Sequence, residues 1–284
     1  MRKNIFISLL ASVILFANCS KDESRKAVEE NTIQNSDELI KSKLKLLGFN
    51  NKDVIISGDT IIVEGDIILF KSKLLDKTTR PRQATTHQFP YIRSADMNLN
   101  IYIQPQSSGG FTTAEINVIK AAINQYLQSN FPPSMGIVSI NYTTNSADPK
   151  NIRVVPGNLP TSTCGRATAP TSVTENGLLF TKIGGDLLIN LNSFRNNLDN
   201  SQKTYLIVHE FGHMLGFRHT NWRSDEPEFV DGVGAYTVPF TGNSTANPDP
   251  NSVFNSFGCG IYWAGFSAWD IQAIKYVTRG TTSS

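Results

Sequence analysis

Val208-His209-Glu210-Phe211-Gly212-His213-Met214-Leu215-Gly216-Phe217-Arg218-His219 spells H-E-x-x-H, extended to H-E-x-x-H-x-x-G-x-x-H. His209 and His213 are four residues apart, so on a helix their imidazoles leave one face a turn apart and can ligate a single ion. Glu210 follows the first ligand. It lies near the metal without having to coordinate it, where it can act as general base for metal-activated water. Gly216 tolerates a positive φ, which ends the helix and lets His219 return to the same ion. Three protein ligands with an open fourth position make the donor set of one catalytic Zn2+ rather than a structural one. Five fixed identities, three of them His, co-occur by chance on the order of once in 10⁵ chains of this length. Three of the four histidines belong to the motif. The fourth, His87, falls in a polar segment and is read as solvated.

The surrounding composition narrows the class. With 284 residues, 39% hydrophobic and 18% charged, the chain has material for one sizeable core. A net charge of +2, without a Lys/Arg block beyond the start, argues against nucleic acid or an acidic polymer as partner. Met1-Arg2-Lys3 and the apolar run from Ile5 to Ala17 predict a signal peptide, because the run is too short to span a bilayer as a mature helix. Cys19 directly after it resembles the lipobox of bacterial lipoproteins, with Asn18 where Gly, Ala or Ser is usual. That resemblance implies that Cys19 is the acylated mature N-terminus, a lipid anchor in the outer membrane. An ordinary secretory signal with an incidental cysteine is the alternative. Ser20-Lys21-Asp22-Glu23 resembles the acidic surface-export signal of such lipoproteins, so the protein is expected to face outward. Cys164 and Cys259 are then an even pair in an exported chain, which reads as one disulfide. Closing so long a loop stabilises by roughly 4 to 5 kcal/mol in the chain-entropy model. Two free buried cysteines are the alternative.

Periodicity divides the chain into 1–18 as signal, 19–35 as a polar tether, 36–82 as a separate segment and 83–284 as the catalytic domain. Ser36 to Leu47 has helical spacing, and Asp53 to Ser57 with Thr60 to Val63 read as a hairpin around Gly58-Asp59. Lys71 to Gln88 reads as an exposed linker. Beyond it, strands are expected at Asn98 to Ile103, Ile137 to Tyr142, Ile152 to Val155 and Leu187 to Leu191. A helix is expected at Thr113 to Gln128, which makes the class α+β.

From Phe89 to Arg279 the extended zinc motif resembles the metzincin metallopeptidases, most closely the bacterial protease B family. The resemblance implies a zincin with a twisted mixed sheet, an active-site helix and an irregular C-terminal subdomain. It also implies that Gly165, Arg166, Ala167 and Thr168 form the edge strand that takes extended peptide by β-augmentation; an ordinary loop near the disulfide is the alternative. In the turn Asp249 to Ser256, Phe254 stands where the family has a methionine under the metal, and Ser256 stands where astacins and serralysins keep a tyrosine. Val63-Glu64-Gly65-Asp66-Ile67 resembles the F-x-G-D motif of astacin propeptides. By that resemblance Asp66 is an inhibitory zinc ligand, released by cleavage near Arg80-Pro81-Arg82-Gln83; a plain Gly-Asp turn is the alternative. The implied function is a secreted, surface-anchored, monomeric zinc endopeptidase that hydrolyses extracellular proteins or glycoproteins. A surface-binding lipoprotein that keeps the zinc site but has lost turnover, and a zinc hydrolase of another amide, are the competing readings.

Overall fold

Asn98-Leu99-Asn100-Ile101-Tyr102-Ile103 alternates in polarity and forms the strand β4 (Asn98–Ile103), with Leu99, Ile101 and Ile103 fully buried. This is a computed structural model, which describes residues 36–45, 49, 54–75, 91–132, 135–175, 178–220, 238, 241, 249–256 and 258–279. The chain separates into two units, Met1–Ile40 and Lys41–Ser284. Residues 36–45 are helical (α1), the first five in the first unit and the rest in the second.

In the second unit the predicted hairpin forms from β1 (Ile55–Ser57) and β2 (Thr60–Val63), turning at Gly58 with φ +58°. A third strand, β3 (Ile67–Phe70), continues it antiparallel. The linker expected from Lys71 onward is corrected at its start. Lys71–Leu75 is a helix (α2) whose Leu74 is buried, so one apolar contact overrides a polar composition.

The remaining elements are α3 (Thr113–Ile123), β5 (Ser139–Thr143), β6 (Ile152–Pro156), β7 (Gly165–Thr168), β8 (Thr171–Glu175), β9 (Leu178–Lys182), β10 (Asp186–Ile189), α4 (Leu191–Asn196), α5 (Asn200–Leu215) and α6 (Ala268–Thr278). Eight strands make one mixed sheet in the order β1-β2-β3-β7-β10-β6-β4-β5, while β8 and β9 form a separate hairpin. The helix expected through Gln128 ends at Ile123 and tightens into 3-10 turns.

The helix α3 packs on α5, and Ile116, Ile119 and Ile123 meet Ile207, Phe211 and Leu215 in the same buried cluster as β4. The α3 start is fixed by a capping box between Thr112 and Glu115, and Arg195 on α4 clamps that Glu115 at 2.9 Å. Asp199 and Gln202 form the capping box of α5. These contacts fix the direction in which α5 presents its second half to the sheet.

Candidate active site

The active-site helix α5 carries His209, Glu210 and His213, all buried, and ends on Gly216 at φ +103°. The Gly216 N–H bonds back to the carbonyls of Gly212 and His213, and Phe217 N donates to Gly212 O, so the chain reverses and brings His219 over the helix. His209, His213, His219 and Asp66 each offer a ligand atom, and these atoms all lie within 4.8 Å of one another.

The proton inventory shows that the donor set fits a metal ion. His209 Nδ1 lies 2.7 Å from Val253 O, and His213 Nδ1 lies 2.7 Å from Phe217 O. A carbonyl only accepts, so each Nδ1 carries the hydrogen and each Nε2 is left with a lone pair. Those two Nε2 atoms stand 3.0 Å apart. Two lone pairs converging in a buried site repel unless a cation lies between them. His219 Nε2 is 3.1 Å from Asp66 Oδ2, and the Asp66 carboxylate is 3.7 Å from the other two Nε2 atoms.

Electrostatics agree with that arrangement. Burial first, together with the neighbouring imidazoles, pushes His213 down to about 3 despite the Asp66 charge, so its ring is neutral and ready to ligate. Burial disfavours ionised Asp66, but His219 and His213 outweigh it and hold its carboxyl well below the usual range. Burial pushes the Glu210 carboxyl well up, Asp66 adds to this, and Arg166 opposes it. Glu210 Oε2 is buried without a hydrogen-bond partner.

Gly165 makes room for that carboxylate, since a Cβ there would lie 2.7 Å from Glu210 Oε1. The strand that contains it, β7, was expected as an edge. It is internal: one side pairs antiparallel with β10, and the other pairs parallel with β3, in the register Ile67↔Ala167 and Ile68↔Thr168. Ala167 N donates to Asp66 O, and Arg166 Nε donates to Gly65 O at 3.0 Å. Residues from the 36–82 segment therefore pair along β7, the strand that holds Gly165 against Glu210.

Phe254 is buried against Gly212 of α5, stacked on Phe217 with ring centroids 4.5 Å apart, and accepts from Thr220 N through its carbonyl. Cys164 and Cys259 form a disulfide. Beside them a cavity of about 170 Å³ opens next to Glu210, lined by Leu198, Gln202, Tyr205 and Leu206. Cys19, Arg80 to Gln83 and His87 lie outside the described residues.

Three functional contacts escape sequence reading. Asp270 accepts from Ser252 Oγ at 2.6 Å and from Val253 N at 3.0 Å, which holds the turn whose carbonyl orients His209. The pattern Ser267-x-x-Asp270 signals a capping box, and one is present, but it says nothing of the second job of Asp270. Gly212 faces Phe254 so closely that a Cβ would stand 2.1 Å from its ring. Arg218 pairs with Glu64 across 154 positions of sequence.

A family model described as "Dual-action HEIGH metallo-peptidase" matches residues 61–278, and His209 to His213 read H-E-F-G-H, with Phe211 where that name has isoleucine. The chain belongs to this family. As a HEIGH metallopeptidase it is a zinc enzyme with one catalytic ion, and the cluster of three histidines and Asp66 is where that ion fits. Two solved structures of myroilysin are similar at 14% identity. They cover 63% and 64% of this chain and 79% and 82% of their own, with TM-scores of 0.36 and 0.31. No match is found among curated proteins.

Proposed function

We propose that this metallopeptidase is an exported endopeptidase that cuts extracellular proteins or glycoproteins, with Glu210 as general base, held latent by its own 36–82 segment. The observation that carries the reading is Asp66: its carboxylate stands among the three imidazoles, 3.1 Å from His219 Nε2, on the turn that leads into β3. A carboxylate there occupies the fourth position that catalysis needs open. The astacin-like spacing of Gly65-Asp66 and the protease-B-like turn at Phe254 agree with it.

When bound, zinc polarises the scissile carbonyl and acidifies water. Glu210 then accepts a proton on Oε2 and returns it to the leaving amine. Once β3 is gone, the freed N–H and C=O groups of β7 pair with an extended substrate, and the cavity beside Glu210 receives one of its side chains. Cys19 anchors the chain to the outer membrane, where it acts as a monomer on the cell exterior. The apolar run before Cys19 and a disulfide suited to oxidising surroundings support that location.

Gelatin or casein digestion by the zinc-loaded full-length protein tests the reading. Glu210→Gln should lower the rate by roughly 10²- to 10⁴-fold while zinc content stays unchanged, and Asp66→Ala should raise digestion well above that of the unprocessed wild type. Digestion that survives Glu210→Gln would overturn the base assignment. Equal rates for wild type and Asp66→Ala would overturn latency.

A further inference from the structure

We propose that Gln202 is a specificity-determining residue of the peptidase: by holding Gly260 it closes the end of the cavity remote from Glu210 and limits the size of the uncharged, apolar substrate side chain that enters. This rests on the cavity receiving a substrate side chain, as proposed for the function, and adds the class of that side chain and the group that sets its room.

Gln202, Leu206 and Glu210 follow one another four residues apart on α5, so they share one side of the helix, and Gln202 lies two turns, about 12 Å, before the base. The cavity of about 170 Å³ follows that line. Leu206 and Tyr205 line it along the helix, Leu198 lines it just ahead of α5, and residues 258–260 with the disulfide form a further wall. Its charged or titratable neighbours are Asp66, His209 and Glu210, all at the zinc end. Away from them the lining is neutral, so a carboxylate or ammonium that entered would lose its water without gaining a partner.

The wall at 258–260 is Gly258-Cys259-Gly260, two glycines around a disulfide cysteine, exposed or half-buried along its length. It buries no side chain that could fix it, so its place depends on its bonds. Cys259 ties it to Cys164, and Gly260 O accepts from Gln202 Nε2 at 2.9 Å. Among the described residues that is the one hydrogen bond the main chain of 258–260 makes. Gln202 is itself held by the capping box that starts α5: its Oε1 accepts from Asp199 N, and its N–H donates to Asp199 Oδ1, both at 2.9 Å. The box uses Oε1 alone, and Glu would close it as well. At a helix start, where the macrodipole favours an acid, Gln is the weaker choice for the helix. Its amide nitrogen has its use at Gly260, in the wall of the cavity.

Gln202→Glu tests this without changing the shape of the side chain. It keeps the capping box and turns the Nε2 donor into a second acceptor facing Gly260 O, so the wall is released. Zinc-loaded full-length protein, wild type and variant, is nicked with trypsin at Arg80 or Arg82, so that every residue stays present. Peptides that differ only in one residue flanking the scissile bond are compared by kcat/KM. In the wild type one position should prefer Leu to Asp by roughly 10- to 100-fold. In the variant the Trp-to-Leu ratio at that position should rise roughly 3- to 10-fold, because the lost hydrogen bond lets the cavity lengthen. A rate that falls equally for Trp and Leu would make Gln202 a structural residue and overturn the proposal, with the cavity reading intact. Equal rates for Leu and Asp at every position in the wild type would sink the cavity reading and the proposal together.

A second measurement needs no turnover. Tyr262, two residues beyond Gly260, is 63% exposed, and its cleavage by chymotrypsin reads how firmly the wall is held. In the full-length protein before nicking, Gln202→Glu should speed cleavage after Tyr262 by roughly 3- to 10-fold while α5 stays uncut. Cleavage at the wild-type rate would mean that the disulfide alone holds the wall, which also overturns the proposal.

Discussion

Gly212 illustrates how a single hydrogen atom serves the zinc site. It lies between the two ligands of α5, on the side of the helix that faces Phe254, and a methyl group there would stand 2.1 Å from Cε1 and 2.7 Å from Cδ1 of that ring. Because Phe254 is also stacked on Phe217, its ring has little freedom to retreat. Gly212→Ala should therefore cost about 1 to 3 kcal/mol in thermal or denaturant unfolding. Zinc affinity should fall too, since the strained contact is made by a residue of α5 that lies between His209 and His213 in the chain. Adding Phe254→Leu, which shortens the opposing side chain, should restore part of both losses; additivity of the two changes would show that the contact is not their common cause. The ligands themselves are legible in sequence because helical spacing alone converges two histidines and a glycine stop returns the third. The Gly212–Phe254 fit is illegible because its two halves are far apart along the chain: the sequence marks Phe254 as standing where the family has methionine, but nothing in it says that Gly212 is what the ring meets.

Elements carry the orientation of those ligands. The helix α6 begins with Ser267 and Asp270, and Asp270 spends one oxygen on Ser252 Oγ and the other on the N–H groups of Val253 and Ser267. Val253 O in turn receives the Nδ1 hydrogen of His209. A chain of hydrogen bonds thus runs from a helix start to a metal ligand, and Asp270→Ala breaks it by removing both acceptor oxygens. Zinc affinity, measured by competition with a chelator, is expected to fall roughly 10- to 100-fold. An unchanged affinity would mean that Val253 O is positioned by the turn alone. Strands with alternating or continuous apolar residues, such as β4 and β6, can be read from sequence. Whether β7 is an edge cannot, because Ile67 and Ile68, the β3 residues that pair with it, are apolar in any environment, and their partner is decided by tertiary pairing.

At the scale of the whole molecule, the separable part is defined by what the core leaves out. The connected cluster of buried apolar side chains begins at Ile92 and ends at Val277. Ile61, Ile62, Val63, Ile67 and Leu74 are buried as well, yet they stand outside that cluster. They belong to β2 and β3, which extend the sheet beyond β7, and to α2, rather than contributing to that cluster. The Cys164–Cys259 disulfide, 95 positions apart, ties the start of β7 to the segment after the Phe254 turn, so both walls of the cleft are joined without help from 36–82. Residues 83–284 made alone should therefore bind one zinc and melt in a single cooperative transition, below the full-length midpoint because β3 and its apolar burial are missing. A synthetic peptide of residues 36–82 should raise that midpoint again and inhibit hydrolysis in trans, with the Asp66→Ala peptide failing as an inhibitor. Calorimetry of the shortened chain decides the matter. A broad, non-cooperative melt would mean that 36–82 is needed for the fold itself, and rescue by the Asp66→Ala peptide equal to that by the unaltered one would mean that strand pairing, not the carboxylate, closes the site.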